Sequence, residues 1–251
     1  LSALRRPRAV GFDYGRTLVD IGYPRPGLVR AGRELLRILG TKPPAGVAVE
    51  EVGIRVDAQV DRLVAHAHRR DPVAEVEIYS LYQRALQATL GVALAPEQVR
   101  QAADLLQLPW REAITVETGV IEALGALRGQ GVRLGLLSNA PYQPRLMRGM
   151  LQLQGLSPYF DVILFSSEIG FRKPARAAFS ALLGALGTEA EETWYVGDEP
   201  EADIEGARAS GLLPLWAPGA SAPDPAGSPE TPRLSSFAEL VSCWEAAGAS
   251  R

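Results

Sequence analysis

The sequence predicts an α/β protein: a doubly wound, Rossmann-like parallel sheet with an all-helical domain inserted after its first strand. Three observations carry this. Short apolar runs occur at 8–13, 132–138, 161–166, 192–198 and 212–216. Helical patterns separate the later runs. Residues 21–111, by contrast, hold helical patterns only. Strands that alternate with helices imply crossover connections, and crossover helices cover both faces of a parallel sheet.

Taken in order, "RAVGFD" (8–13) is a buried-strand pattern that ends at Asp13, just before a turn. The insertion follows. Leu28, Leu35 and Leu39 recur at helical spacing, as do Val49, Val52, Val56, Val60 and Leu63. So do Ile78, Leu81, Tyr82 and Ala85, and then Val99, Ala103 and Leu106. Punctuation such as "GTKPPAG" separates them. An excursion of about 90 residues is too long for a loop and should form its own domain. The expected division is therefore 1–20 and 112–251 for the core, and 21–111 for the insertion. In the core, Leu124 and Leu127 line a helix before "VRLGLLS", and Leu146, Met150 and Leu153 line one before "DVILFS". Phe179, Leu182, Leu183 and Leu186 share a face, with Pro174 suited to the first turn. After "ETWYVGD", Pro200 opens a helix that Gly211 closes, and "LLPLW" is the last strand. "APGASAPDPAGSPETP" (217–232) reads as a mobile linker. A final helix from Ser235 or Ser236 to about Ala247 is expected to pack back on the sheet.

Composition narrows the function. A net charge of −3 argues against a nucleic-acid partner, which needs a basic face. The single cysteine, Cys243, excludes an internal disulfide framework and favours a reducing compartment. No run approaches the ~18 apolar residues of a membrane span. The opening "LSALRRPRAV" lacks the apolar core of a secretory signal. A cytoplasmic protein without membrane or nucleic-acid partners is expected. No feature specifies an oligomeric state.

Ligands of doubly wound sheets bind beyond the carboxyl ends of the strands. Four strands here end in polar groups: Asp13, then Ser138-Asn139 before an expected helix start, then Lys173 in "SSEIGFRKP", then Asp198 followed by Asp203. Singly, each has an ordinary structural reading as a turn former, a helix cap, a solvated lysine or an acidic first turn. Jointly they have chemical sense. Two carboxylates plus waters suit Mg²⁺. The Ser138 hydroxyl can bond a phosphoryl oxygen, and helix N–H groups after it suit an anion. Lys173, one of only two lysines with Lys42, would keep a carboxylate nucleophile ionised and attract phosphate.

The segments "VGFDYGRTL", "LGLLSN", "GFRKPARAAF" and "YVGDEPEADIEGARASG" resemble, in this order, the four motifs of the haloacid dehalogenase (HAD) superfamily. The resemblance covers the core, and the insertion is similar to the family's C1 cap. It implies an Mg²⁺-dependent phosphatase acting on a small phosphorylated metabolite, with Asp13 as the nucleophile that forms an aspartyl-phosphate. Lys173 would pair with Asp13. Ser138 and Asn139 would serve the phosphoryl group, with Thr17 bracing the turn. Asp13, the Gly15 carbonyl and Asp198 would hold Mg²⁺, with Asp203 supporting the metal directly or through water.

One position departs from the pattern. Family phosphatases carry an aspartate two residues after the nucleophile, as general acid and base. This D-x-G-x-T motif has Gly15 there. Glycine keeps the carbonyl ligand and drops an acid worth roughly 10²–10⁴ in rate. Water, the substrate, Asp20 or a cap side chain could supply the proton. The alternatives are a catalytically weak or inactive HAD-fold binding protein, and another HAD hydrolase. A dehalogenase would need no metal, whereas "GDEPEAD" looks metal-binding; a phosphonate-cleaving enzyme would need a cap lysine, and only Lys42 is available. His66 and His68 are two apart and diverge on a helix, a poor metal pair. Arg69 and Arg70 read as solvated surface, Cys243 as packing, and Trp110 as a hinge between cap and core.

Overall fold

The computed structural model describes residues 5–220 and 222–247. The first four residues of the N-terminal stretch read above lie outside the described residues. The backbone forms two compact units: Leu1–Ile21, Thr115–Ala140 and Leu151–Arg251 make one, and Gly22–Ile114 with Pro141–Met150 make the other.

Seven strands form among the described residues: β1 (Ala9–Phe12), β2 (Val19–Ile21), β3 (Ile114–Val116), β4 (Arg133–Ser138), β5 (Val162–Phe165), β6 (Thr193–Gly197) and β7 (Leu213–Trp216). Five of them make a parallel sheet of order β5-β4-β1-β6-β7. These are the five apolar runs. The chain fills one side of β1 with β4 and β5, then the other with β6 and β7. The order thus reverses at β1, and a crevice is expected at its carboxyl end. Phe12 stands opposite both Leu136 and Val196, so the three central strands finish near one level. β2 and β3 pair separately and have no counterpart in the sequence reading. Each has three residues, mostly not buried, so no apolar run marks them.

The helical unit contains α1 (Arg25–Leu39), α2 (Val52–Arg70), α3 (Ile78–Leu90) and α4 (Pro96–Gln107). Leu35, Val56, Val60, Tyr82, Leu86 and Leu106 belong to its core. α1 and α2 touch at Gly32 and Gly53; a Cβ on Gly53 would run into the Leu28 carbonyl. Trp110 is bound inside this unit. Its Nε1 donates to Asp57 Oδ1 at 3.1 Å, and its ring meets Tyr23 edge-on at 5.9 Å. His68 Nε2 lies 3.1 Å from Glu75 Oε1. Residues 141–150, read from the sequence as core, group with this unit for a local reason. Tyr142 packs on the helical core, Gln143 N donates to Gln107 Oε1 at 3.4 Å, and Arg145 pairs with Asp104.

The unit that holds the sheet also contains helices α5 (Val120–Gly129), α7 (Ser166–Ile169), α8 (Arg176–Leu186), α9 (Gly206–Ala209) and α10 (Phe237–Ala246), and a further helix, α6, covers Pro144–Leu153. The α6 range spans both units. α8 lies close on the strands; a Cβ on Gly135 would sit 2.7 Å from Leu182. The segment expected as a mobile linker is tied to β7 and its neighbours. Trp216 Nε1 donates to Asp224 Oδ1 at 2.8 Å, and Arg208 Nη2 to the Pro229 carbonyl at 3.1 Å. Ser236 caps α10, its Oγ accepting from Glu239 N at 3.2 Å. Cys243 is buried in that helix. No helix among the described residues is long and apolar enough to cross a membrane.

Candidate active site

Asp13 follows β1 directly, and its backbone N–H donates to the Val196 carbonyl at 2.9 Å. The first carboxylate is thereby pinned to β6 as well as to its own strand. Its Oδ1 accepts from Lys173 Nζ at 2.6 Å. That lysine is buried and its three donors are all used. The other two go to Asp203 Oδ1 at 2.7 Å and to the Tyr195 hydroxyl at 2.9 Å. Tyr195 in turn donates to the Leu137 carbonyl at 3.0 Å.

Two side chains hold the backbone that presents these groups. Asn139 grips Lys173 by its main chain: Oδ1 accepts from Lys173 N at 2.8 Å, and Nδ2 donates to Lys173 O at 3.0 Å. Asp203 holds the turn after β6, its Oδ2 accepting from Asp198 N and Glu199 N, each at 3.0 Å. Gly197 permits that approach, because a Cβ there would overlap the Asp203 side chain. Thr17 is buried, and its Oγ1 faces Asp198 Oδ1 at 3.4 Å. The Ser138 hydroxyl, at the end of β4, makes no hydrogen bond among the described residues.

Asp13, Lys173, Asp198 and Asp203 therefore converge, and Thr17 and Asn139 join them through Asp198 and Lys173. One expectation fails. No helix starts immediately after Ser138-Asn139; the next, α6, begins at Pro144. Pro141 and Pro144 explain the gap, since each disfavours helical backbone in the residue before it. The Ala140 N–H already donates to Ser166 Oγ at 2.7 Å.

A model of the family described as haloacid dehalogenase-like hydrolase matches residues 7–211. The chain belongs to the haloacid dehalogenase-like hydrolases. It is 31% identical to a ribulose-1,5-bisphosphate 5-phosphatase of Halopiger xanaduensis, over 81% of this chain and 82% of that one. It is 33% identical to a phosphoglycolate phosphatase of Rhodospirillum rubrum, over 82% and 77%. The fold is shared with a 2-haloacid dehalogenase of Pseudomonas syringae, with a TM-score of 0.68 and 23% identity over 96% and 98%.

In this HAD-like hydrolase the electrostatics are those of three carboxylates around one cation. Burial pushes the Asp13 carboxyl up to about 7; Lys173 pulls it down, and Asp203 and Asp198 push it further up. Burial, with Asp203 and Glu199, raises Asp198 to about 6, against the pull of Lys173 and Arg16. Burial works against the Lys173 cation, but the facing carboxylates outweigh it and hold the lysine well above its ordinary value. The carboxylates have oxygens within 4.8 Å of one another, a hard-oxygen set that fits Mg²⁺. Asp203 has Lys173 on one oxygen and two N–H groups on the other, which leaves Asp13 and Asp198 as the freer donors.

Tyr195 and Ser166 were not singled out in the sequence. Tyr195 sits inside an apolar strand run and looks like core packing, which it also is, meeting Phe179 edge-on at 5.2 Å. Strand alternation was the available signal: Tyr195 and Gly197 share a face. Asp20, a candidate proton source, is exposed, and its Oδ1 accepts from the adjacent Ile21 N at 2.9 Å.

Proposed function

We propose that this HAD-like hydrolase is an Mg²⁺-dependent phosphatase acting on a small phosphorylated metabolite through an aspartyl-phosphate on Asp13. The observation that carries the reading is Asp13 itself: a buried strand-end carboxylate with one oxygen held by Lys173 at 2.6 Å and Asp198 beside it. The phosphatase names of the H. xanaduensis and R. rubrum relatives support it.

In this reading the oxygen of Asp13 not bound to Lys173 attacks phosphorus. Lys173 favours the ionised carboxylate against the effect of its burial and holds it in one orientation. The Ser138 hydroxyl, which makes no hydrogen bond among the described residues, donates to a phosphoryl oxygen. Asp13, Asp198 and the Gly15 carbonyl hold Mg²⁺, which neutralises charge on the phosphoryl group when bound. Asp203 positions Lys173 and the Asp198 turn. Thr17 steadies Asp198, and Asn139 fixes the main chain of Lys173. Water then cleaves the acyl phosphate at phosphorus and Asp13 is restored. The helical unit is read as a C1-type cap that selects the substrate, and the single cysteine fits a cytoplasmic setting.

Gly15 supports a second reading, a HAD-fold binding protein with little turnover. One experiment separates the two. Phosphate release from an aryl and an alkyl phosphate is followed with and without Mg²⁺, in the wild type and in Asp13→Asn. Mg²⁺-dependent release lost in Asp13→Asn is the expected result. No release from either ester would overturn the phosphatase.

A further inference from the structure

The turn after Asp13 holds a backbone anomaly. Arg16 has φ of 61°, the only positive value at a non-glycine among the described residues. An L-residue resists this left-handed conformation, which glycine adopts freely. Yet the glycine of this turn is its neighbour, Gly15, whose φ is not positive. A Cβ on Gly15 would meet only Ile21 Cδ1, at 3.1 Å. The turn thus has glycine where a side chain nearly fits, and arginine where glycine is preferred.

The strained residue is also fixed in place. Its N–H donates to the Val19 carbonyl at 2.7 Å, and Gly15 bridges to Val19. Its side chain is exposed and has no ion-pair or hydrogen-bond partner among the described residues. The adjacent Thr17 reaches Asp198 at 3.4 Å, so the turn borders the carboxylate cluster. Backbone strain of this kind clusters at active sites, and here it carries a cation with no partner among the described residues.

We propose that Arg16 is a catalytic residue that binds the leaving-group oxygen of the substrate and offsets electrostatically the acid missing at Gly15. The inference rests on the phosphatase reading. As the Asp13–phosphorus bond forms, the bond from phosphorus to the leaving oxygen breaks, and both electrons stay on that oxygen. Guanidinium N–H groups hold the resulting anion, which takes its proton from water after release. Arginine cannot give up a proton itself. It therefore favours phosphates whose leaving group is stable as an anion: phenols, enols, carboxylates (acyl phosphates) or phosphates (anhydrides). Unactivated alcohols are disfavoured.

The test is a series of aryl phosphates of graded leaving-group pKa, run with the wild type, Arg16→Gly and Arg16→Lys. Arg16→Gly is expected to lose roughly 10²-fold in kcat/KM on the poorest leaving group and less on the best, which steepens the dependence on pKa. Arg16→Lys recovers part of the loss. The melting temperature of Arg16→Gly stays level or rises by about 2 °C, because the left-handed residue is now glycine. A slope unchanged in Arg16→Gly, or an equal loss on every ester, overturns the role of Arg16 while leaving the phosphatase intact. Absence of turnover by the wild type on the whole series would instead overturn the phosphatase reading.

Discussion

Gly15→Asp places a carboxyl group two residues after Asp13, the nucleophile of the proposed reaction, and the structure indicates that the chain will accept it. The backbone at Gly15 has no positive φ. The new Cβ would sit 3.1 Å from Ile21 Cδ1, a few tenths of an ångström too close. Ile21 is 39% exposed and can turn away. A steric cost within about 0.5 kcal/mol is expected, as for other surface changes. The catalytic gain is larger. General acid–base help of roughly 10²–10⁴ is equivalent to about 3–5 kcal/mol of barrier. It should fall on the poorer leaving group, since a phenolate needs little help to depart. The assay is kcat/KM for an alkyl and an aryl phosphate, with Gly15→Asn as a control of the same shape and no transferable proton. Gly15→Asp should raise the alkyl rate at least tenfold and the aryl rate less, and Gly15→Asn should raise neither. Equal rates for Asp and Asn would refute the view that only an acid is missing at this position.

Three further outcomes follow from the same geometry. Lys173→Met leaves Asp13 and Asp203 facing each other without their cation, so a loss of about 3–5 kcal/mol is expected in denaturant unfolding, and adding Asp203→Asn should return part of it. The Asp13 carboxyl, raised by burial to about 7 from 3.8, binds its proton more tightly in the folded state. Its contribution to stability is present below about pH 4 and is lost as pH rises toward 7. The metal-free wild type should therefore lose stability relative to Asp13→Asn across that window, and Mg²⁺ should reverse the loss; a pH-independent difference between the two would count against this. Gly197→Ala should push Asp203 off the Asp198 and Glu199 N–H groups, costing about 1–3 kcal/mol and weakening Mg²⁺ binding in calorimetry.

Much of the fold was legible because buried parallel strands are uninterrupted apolar runs, and all five became strands of the sheet. β2 and β3 were not, being three residues long and mostly not buried. Asp13 and Asp198 were legible because each directly follows a strand, where topology gathers ligands, and Lys173 and Asp203 because they lie in the segments that leave β5 and β6 on the same edge of the sheet. The partners that hold them were harder to see. Asn139 looked like a phosphate ligand, but its amide is taken up by the main chain of Lys173, 34 residues away. Tyr195 reads as core until its hydroxyl is found between Lys173 and Leu137. The conformation of Arg16 depends on a turn closed by Val19, which no propensity predicts.

The pairing of Asp13 with Lys173 spans 160 residues of chain. At synthesis rates of about 5–20 residues per second, Asp13 leaves the ribosome some ten to thirty seconds before Lys173. Asp13 and its cation can therefore meet only after β4 and β5, which lie between them in the sequence, have been made.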